Sequence, residues 1–181
     1  MLKAISFAIA LFAIPLTNYT DTQAMVTTNA NYQISQNPHQ STGLTVERLG
    51  VGGVKLSMPE AQVRKILGKP IKVENSDSAA IGKIRTLKYP GITLDLGEGL
   101  TPSNFTVYQI KVTSAKYATI DGVKVGDRQS KVMRTYGKAE TYQEDNFTRV
   151  NYGMENPSPA GLNFTFKNGK VIEILCFYVM T

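Results

Sequence analysis

The chain has 181 residues, 42% of them hydrophobic and 19% charged, with a formal net charge of +6. That length closes one solid core or two small fused ones, and the lysines and arginines, spread over residues 48–170 in runs of at most two, lack the stripe of a nucleic-acid binder. A single cysteine, Cys176, excludes an internal disulfide, and with a single histidine, His39, it leaves too few ligands for zinc and no Ser-His-Asp arrangement in the folded part, so no metal or cofactor is expected.

Residues 1–24 read as a secretory signal peptide. Lys3 precedes about a dozen mostly apolar residues, and Thr22 and Ala24 stand at −3 and −1 of a cut after Ala24. The apolar run is shorter than the roughly 20 residues that span a bilayer. No cysteine near the cut could carry a lipid. The expectation is a soluble exported protein, periplasmic or secreted, with no transmembrane segment. Residues 25–44 hold no Asp, Glu, Lys or Arg and few large apolar groups. Such a segment buries too little to offset its ordering entropy and is expected to be a flexible polar tether, with His39 inside it.

The fold is expected to begin near Thr45. Ser57-Met58-Pro59-Glu60 fits a capping box, with Pro59 in the first turn. Val63, Ile66 and Leu67 then make one apolar face, Arg64 and Lys65 suit the last turn, and Gly68 can close the helix in the left-handed region before Pro70 stops it. Strands follow at 71–75, 84–89, 92–96 and 107–113. A second helix starts at Gly126 or Asp127, buries Val132, Thr135 and Tyr136, and ends at Gly137. Strands at 140–144, 147–152, 162–166 and 171–179 complete the chain. Pro90-Gly91 forms a tight turn, and Asn168-Gly169 is a strong hairpin signal. Ile92, Leu94 and Leu96 alternate with Thr93 and Asp95, as Leu162, Phe164 and Phe166 alternate with Asn163 and Thr165. That period describes antiparallel strands covered on one face.

The chain resembles itself at an offset of 69. Gly53, Val54, Lys55, Val63, Gly68 and Lys69 recur as Gly122, Val123, Lys124, Val132, Gly137 and Lys138. The expected fold is α+β: two tandem repeats of a short helix plus an antiparallel meander (45–118 and 119–181), forming one domain. Its sheet would have about eight strands, with both helices on one face. One such unit is a poor domain alone, and pairing two closes the core.

The duplicated pattern GVK-[LV]-[SG]-x-[PR]-x-x-x-V-x-x-x-[LY]-G-K, followed by a meander, resembles the tandem-repeat beta-lactamase-inhibitor-protein-like fold, a superfamily that includes small outer-membrane assembly lipoproteins of the SmpA/BamE type. The resemblance covers residues 45–181 and implies helices on one sheet face and a binding surface on the other. The tandem inhibitors carry disulfides, and the lipoproteins carry a lipid-modified cysteine and one repeat. This chain has none of these features, so only the fold and a binding role carry over.

The paired carboxylates Asp95 with Glu98 and Glu144 with Asp145 sit at turns and read as solvated turn residues rather than a glycosidase pair. Asp121 and Asp127 lack calcium-loop spacing. Asn104, Asn146 and Asn163 each begin Asn-Phe-Thr, a glycosylation acceptor in a eukaryotic secretory pathway, or simply a frame for phenylalanine anchors. The strand VIEILCFYV is apolar on both sides apart from Glu173. It is either central with a partly covered second face or an apolar partner patch. The expectation is a non-enzymatic binding module that recognises an envelope or extracellular protein or glycan through Lys88, Asp95, Lys111, Arg149, Asn151 and Glu173 on the open sheet face. The alternative is an inhibitor of an exported hydrolase, using ENSDSAAIGK (74–83) or GMENPSPAG (153–161) as its loop. An enzyme is the third and least favoured reading.

Overall fold

The computed structural model describes residues 44–79, 81–99, 102–154 and 159–179. The expected signal peptide and all of the expected tether but Leu44 lie outside them. Leu44 itself is buried in the core.

A 3-10 turn at Val46–Arg48 leads into a small hairpin, β1 (Gly50–Val51) and β2 (Val54–Lys55). Helix α1 (Glu60–Leu67) follows, then β3 (Lys72–Ser78), β4 (Gly82–Tyr89), β5 (Ile92–Glu98) and β6 (Phe105–Val112). After α2 (Gln129–Tyr136) come β7 (Thr141–Glu144), β8 (Phe147–Met154), β9 (Ala160–Lys167) and β10 (Lys170–Tyr178). Eight strands form one antiparallel sheet in the order β3-β4-β5-β6-β10-β9-β8-β7. The expected α+β class and eight-stranded sheet are found, and each expected strand is present within a few residues.

Alternation decides which face is buried. Ile92, Leu94 and Leu96 of β5, and Leu162, Phe164 and Phe166 of β9, are at most 1% exposed. Each such side chain contributes about 2–3 kcal/mol by leaving water. Val63 of α1 and Val132 and Tyr136 of α2 join the same buried cluster, so both helices lie on this face. Tyr136, Tyr152 and Phe164 meet with ring centroids 5.3–6.0 Å apart at the centre of the second half. Ile66 departs from the expected buried face and is 43% exposed. It leans toward Gly53, whose Cβ position would lie 3.4 Å from it, and a glycine turn offers little cover.

The helix starts differ from the capping box read in the sequence. Ser57 has φ +64° and its N–H donates to Val107 O at 2.7 Å, so Pro59 takes the N-cap position without a side-chain cap. Glu60 turns instead to Arg64 and Arg85, 2.7 Å from each. Burial opposes its ionisation, but the two guanidiniums outweigh that and hold its carboxyl below the usual range. Arg128, rather than Gly126 or Asp127, caps α2, again without a side-chain bond. Both helices end on glycine, but not in the left-handed helical region. Gly68 (φ 80°, ψ −154°) and Gly137 (φ 91°, ψ 175°) occupy the extended mirror region that only glycine enters readily.

The segment before each helix pairs with the last strand of the following meander. Ser57 N–H donates to Val107 O and Val107 N–H to Met58 O; Gly126 N–H donates to Val171 O and Val171 N–H to Asp127 O. A register shift follows at each valine, between Asp95 and Leu96 opposite Tyr108 and between Val171 and Glu173 on β10. Backbone pairing joins the described parts of the two halves along β6–β10 and over the core, and Ser57 Oγ lies 3.3 Å from Tyr178 Oη. β6 pairs with β10 through Ile110 to Cys176 and Val112 to Ile174, and over the core Val51 bridges Thr119. Arg48 fixes the second junction, with Nε 3.1 Å from Asp121 and its guanidinium 5.1 Å from the Tyr136 ring centroid.

Candidate functional site: the outer face of the sheet

Register places all six sequence-chosen residues on the face away from the helices. Lys88 stands opposite Thr93, Thr93 opposite Lys111, Lys111 opposite Leu175, Leu175 opposite Asn163, and Asn163 opposite Asn151. That is one continuous row across six strands. Asp95 lies in the next row, opposite Thr86 and Gln109. Glu173 and Arg149 flank Thr165 in a third.

Their chemistry is largely internal. Glu74 sits between Lys72 (2.7 Å) and Lys88 (2.8 Å), and these two ammonium groups bring its carboxyl down to about 2. Asp95 accepts from the Thr86 hydroxyl and, at 2.8 Å, from Gln109 Nε2. Lys111 pairs with Glu173 at 3.1 Å and Arg149 with Glu144 at 2.9 Å. Lys88, Lys111 and Arg149 are thus each matched by a carboxylate. Exposed pairs of this kind contribute little stability, but they neutralise this part of the face.

Sequence reasoning anticipated the apolar side chains of β10 but missed an aromatic on β6. Tyr108 is the extra residue of the β6 bulge, so it and Gln109 both turn outward between buried Val107 and Ile110. A strict two-residue alternation cannot find such a pair. Burial, and secondarily the Asp95 charge, push the Tyr108 phenol up. Phe177 lies over Gly161, where a Cβ would come within 3.2 Å of its Cζ. Leu175 and Phe177 are half-buried, so β10 is a central strand whose second face is partly covered.

The three Asn-Phe-Thr phenylalanines divide. Phe105 and Phe164 are buried and Phe147 is partly so, and Asn163 lies within β9. ENSDSAAIGK is mostly hairpin rather than loop: β3 and β4 pair as far as Ser78 with Gly82. Residues 155–158 of GMENPSPAG lie outside the described ones. Cys176 is buried, which pushes its thiol up to about 12. Among the described residues no group of three or more His, Cys, Asp or Glu could hold a metal, and no helix is long and apolar enough to cross a membrane.

No protein-family model matches the sequence, and no curated protein matches it. Among solved structures it is similar to an extracellular protein containing an SCP domain from Bacillus anthracis str. Ames, at 9% identity and a TM-score of 0.45. The match covers 83% of this chain, and the chain spans 50% of that protein's length.

Proposed function

We propose that this is an exported, non-enzymatic binding module that recognises an envelope or extracellular protein or glycan through the outer face of its sheet. The observation that supports this reading is the row from Lys88 to Asn151, which runs unbroken across six strands on the side away from the buried cluster. Its amides and hydroxyls, with half-buried Tyr108 and Phe177 nearby, suit hydrogen bonding and stacking, and its paired lysines give specificity rather than long-range attraction. The wholly buried thiol of Cys176 gives no thiolate nucleophile, which favours binding over catalysis.

The two halves are read here as repeats of one helix-plus-meander unit, within a fold like that of the tandem beta-lactamase-inhibitor proteins. Supporting this are the offset of 69, the two glycine-ended helices, and the matching bonds of Ser57 to Val107 and Gly126 to Val171. Inhibition of an exported hydrolase is the second reading. Ile81, at the tip of the β3–β4 hairpin, lies 3.3 Å from the Cβ position of Gly97. A tip held down in this way favours the face over the hairpin.

A photo-crosslinking residue placed at Asn151, and separately at exposed Gln62 on α1, tests the proposal in the native envelope. A protein or glycan adduct from Asn151, and no protein or glycan adduct from Gln62, is expected. Adducts from Gln62 alone, or from neither, would overturn the reading.

A further inference from the structure

The net charge of the fold lies mostly in one layer. Residues 44–71 and 114–140, which build the hairpin and both helices, contain eleven Lys and Arg against five Asp and Glu. The described residues of 72–113 and 141–179, which build the sheet, contain eight Lys and Arg against seven Asp and Glu. An excess of +6 therefore sits on the helical layer, opposite the outer face of the sheet.

Six of these cations come in pairs at the offset of 69: Lys55 with Lys124, Lys65 with Arg134, and Lys69 with Lys138. All six are exposed, and none forms an ion pair with another described residue. Lys65 and Arg134 each lie two residues beyond a buried valine, Val63 or Val132, so they point away from the sheet. Lys55 and Lys124 feel the charges of Glu47 and Asp127 without a close ion pair, and cations held this loosely can meet an external anion.

Two large apolar side chains stand among them. Ile66 is 43% exposed and Ile120 is 47% exposed. Both border the β1–β2 hairpin. The Cβ position of Gly50 would lie 3.1 Å from Ile120 Cδ1 and 3.2 Å from Lys55 Cγ, and that of Gly53 would lie 3.4 Å from Ile66 Cγ2. Lys65 is next to Ile66 in α1, and Lys116 lies over the Tyr117 ring beside Gly52. The arrangement is a pair of aliphatic anchors ringed by unpaired ammonium groups, and the hairpin pairing of Val51 with Thr119 holds both halves of it together.

We infer that the helical layer docks on the surface of an anionic lipid bilayer. Lysines near such a surface are each attracted by the phospholipid charge, and exposed isoleucines enter the headgroup boundary. A soluble polyanion would use the cations but not the isoleucines. The inference is independent of the sheet-face reading, since it concerns the opposite layer.

Full-length protein is sedimented with vesicles of phosphatidylcholine, alone or with phosphatidylglycerol. The apolar stretch at residues 5–16 contributes to both, so the readout is the ratio of the two partition coefficients. A high ratio in low salt, falling toward one in high salt, is expected. Each lysine near the surface contributes about fivefold, so Lys55→Gln/Lys65→Gln/Lys124→Gln should lower the ratio about a hundredfold. Lys83→Gln/Lys167→Gln/Lys170→Gln makes the same charge change on the sheet layer and should leave it unchanged. Ile66→Ser/Ile120→Ser should reduce partitioning to the anionic vesicles about tenfold while its salt dependence persists. Circular dichroism melts check that each variant is folded. A wild-type ratio near one would overturn the inference, as would equal losses in the two lysine variants. Unchanged partitioning of the isoleucine variant, with equally tight binding to soluble polyphosphate, would overturn it in favour of a polymer.

Discussion

Replacing Gly68 or Gly137 with alanine isolates the backbone requirement of the helix ends. Nothing lies within 4 Å of a Cβ built at either position, so the substitutions introduce no clash. The cost is then torsional. Both residues have positive φ with ψ near ±180°, a region costing a non-glycine residue on the order of 1–3 kcal/mol. Each carbonyl also has a partner: Gly68 O accepts from Tyr89 Oη at 3.1 Å and Gly137 O from Tyr152 Oη at 2.9 Å. A backbone that relaxes toward an allowed ψ rotates that carbonyl away and gives up about 1 kcal/mol more. A loss of about 2–3 kcal/mol is expected for each alanine variant by urea unfolding, in one cooperative transition, because the two halves share a core. Asparagine provides the control. It is tolerated in the left-handed helical region but not here, so Gly68→Asn should be as damaging as Gly68→Ala. Losses below about 0.5 kcal/mol, or rescue by asparagine, would refute the torsional argument, and two separate transitions would refute the shared core.

Other expectations follow from single contacts. Gly91→Ala should cost more than either helix-end variant, because its Cβ would meet Ser114 Cβ; equal urea midpoints would contradict this. Cys176 has its folded pKa raised to about 12, so its contribution is intact below the unfolded value near 8.5 and is lost as pH rises from there through 12. Wild type should lose on the order of 2 kcal/mol more than Cys176→Ala between pH 8 and pH 10 in urea titrations, and parallel curves would argue against a neutral buried thiol. Arg48→Ala removes the contacts to Asp121, Thr135 O and the Tyr136 ring and should destabilise by about 1–2 kcal/mol, with Arg48→Lys recovering less than half. N-terminal sequencing from the native host should begin at Met25, and a retained Met1 would refute the signal-peptide reading of residues 1–24.

Local chemistry carried much of this fold into the sequence. Ile92, Leu94 and Leu96 announce their strand by alternation, and Asn168-Gly169 announces the last hairpin, where φ of 51° and 70° suits a two-residue turn. What stayed hidden depends on distant partners. Ser57 looks like a helix cap because its neighbours have the right types, yet its N–H is taken by Val107, fifty residues along the chain. The bulge that turns Tyr108 outward arises from pairing with β5 and breaks the period that would have revealed it. The positions of Lys88, Lys111, Arg149 and Asn151 were legible because they lie on regular stretches of strand, whereas Asp95 and Glu173 border the register shifts. The ion pairs of the face were not legible, since Lys88 with Glu74 and Lys111 with Glu173 depend on which strands become neighbours.

The sheet order also bears on how the chain folds. Apart from one junction, every strand pairing in the large sheet joins sequence neighbours, so each meander zips up from hairpins whose loops close cheaply. The β6–β10 seam is the exception and sets the slow, long-range step. Until that seam forms, each half exposes one unpaired inner edge, and the edge of one chain matches the complementary edge of another as well as its own. Crowded chains should therefore exchange halves through residues 113–117, giving a swapped dimer that keeps the β6–β10 pairing and gives up only contacts within the hinge, such as Tyr117 N–H to Ser114 O.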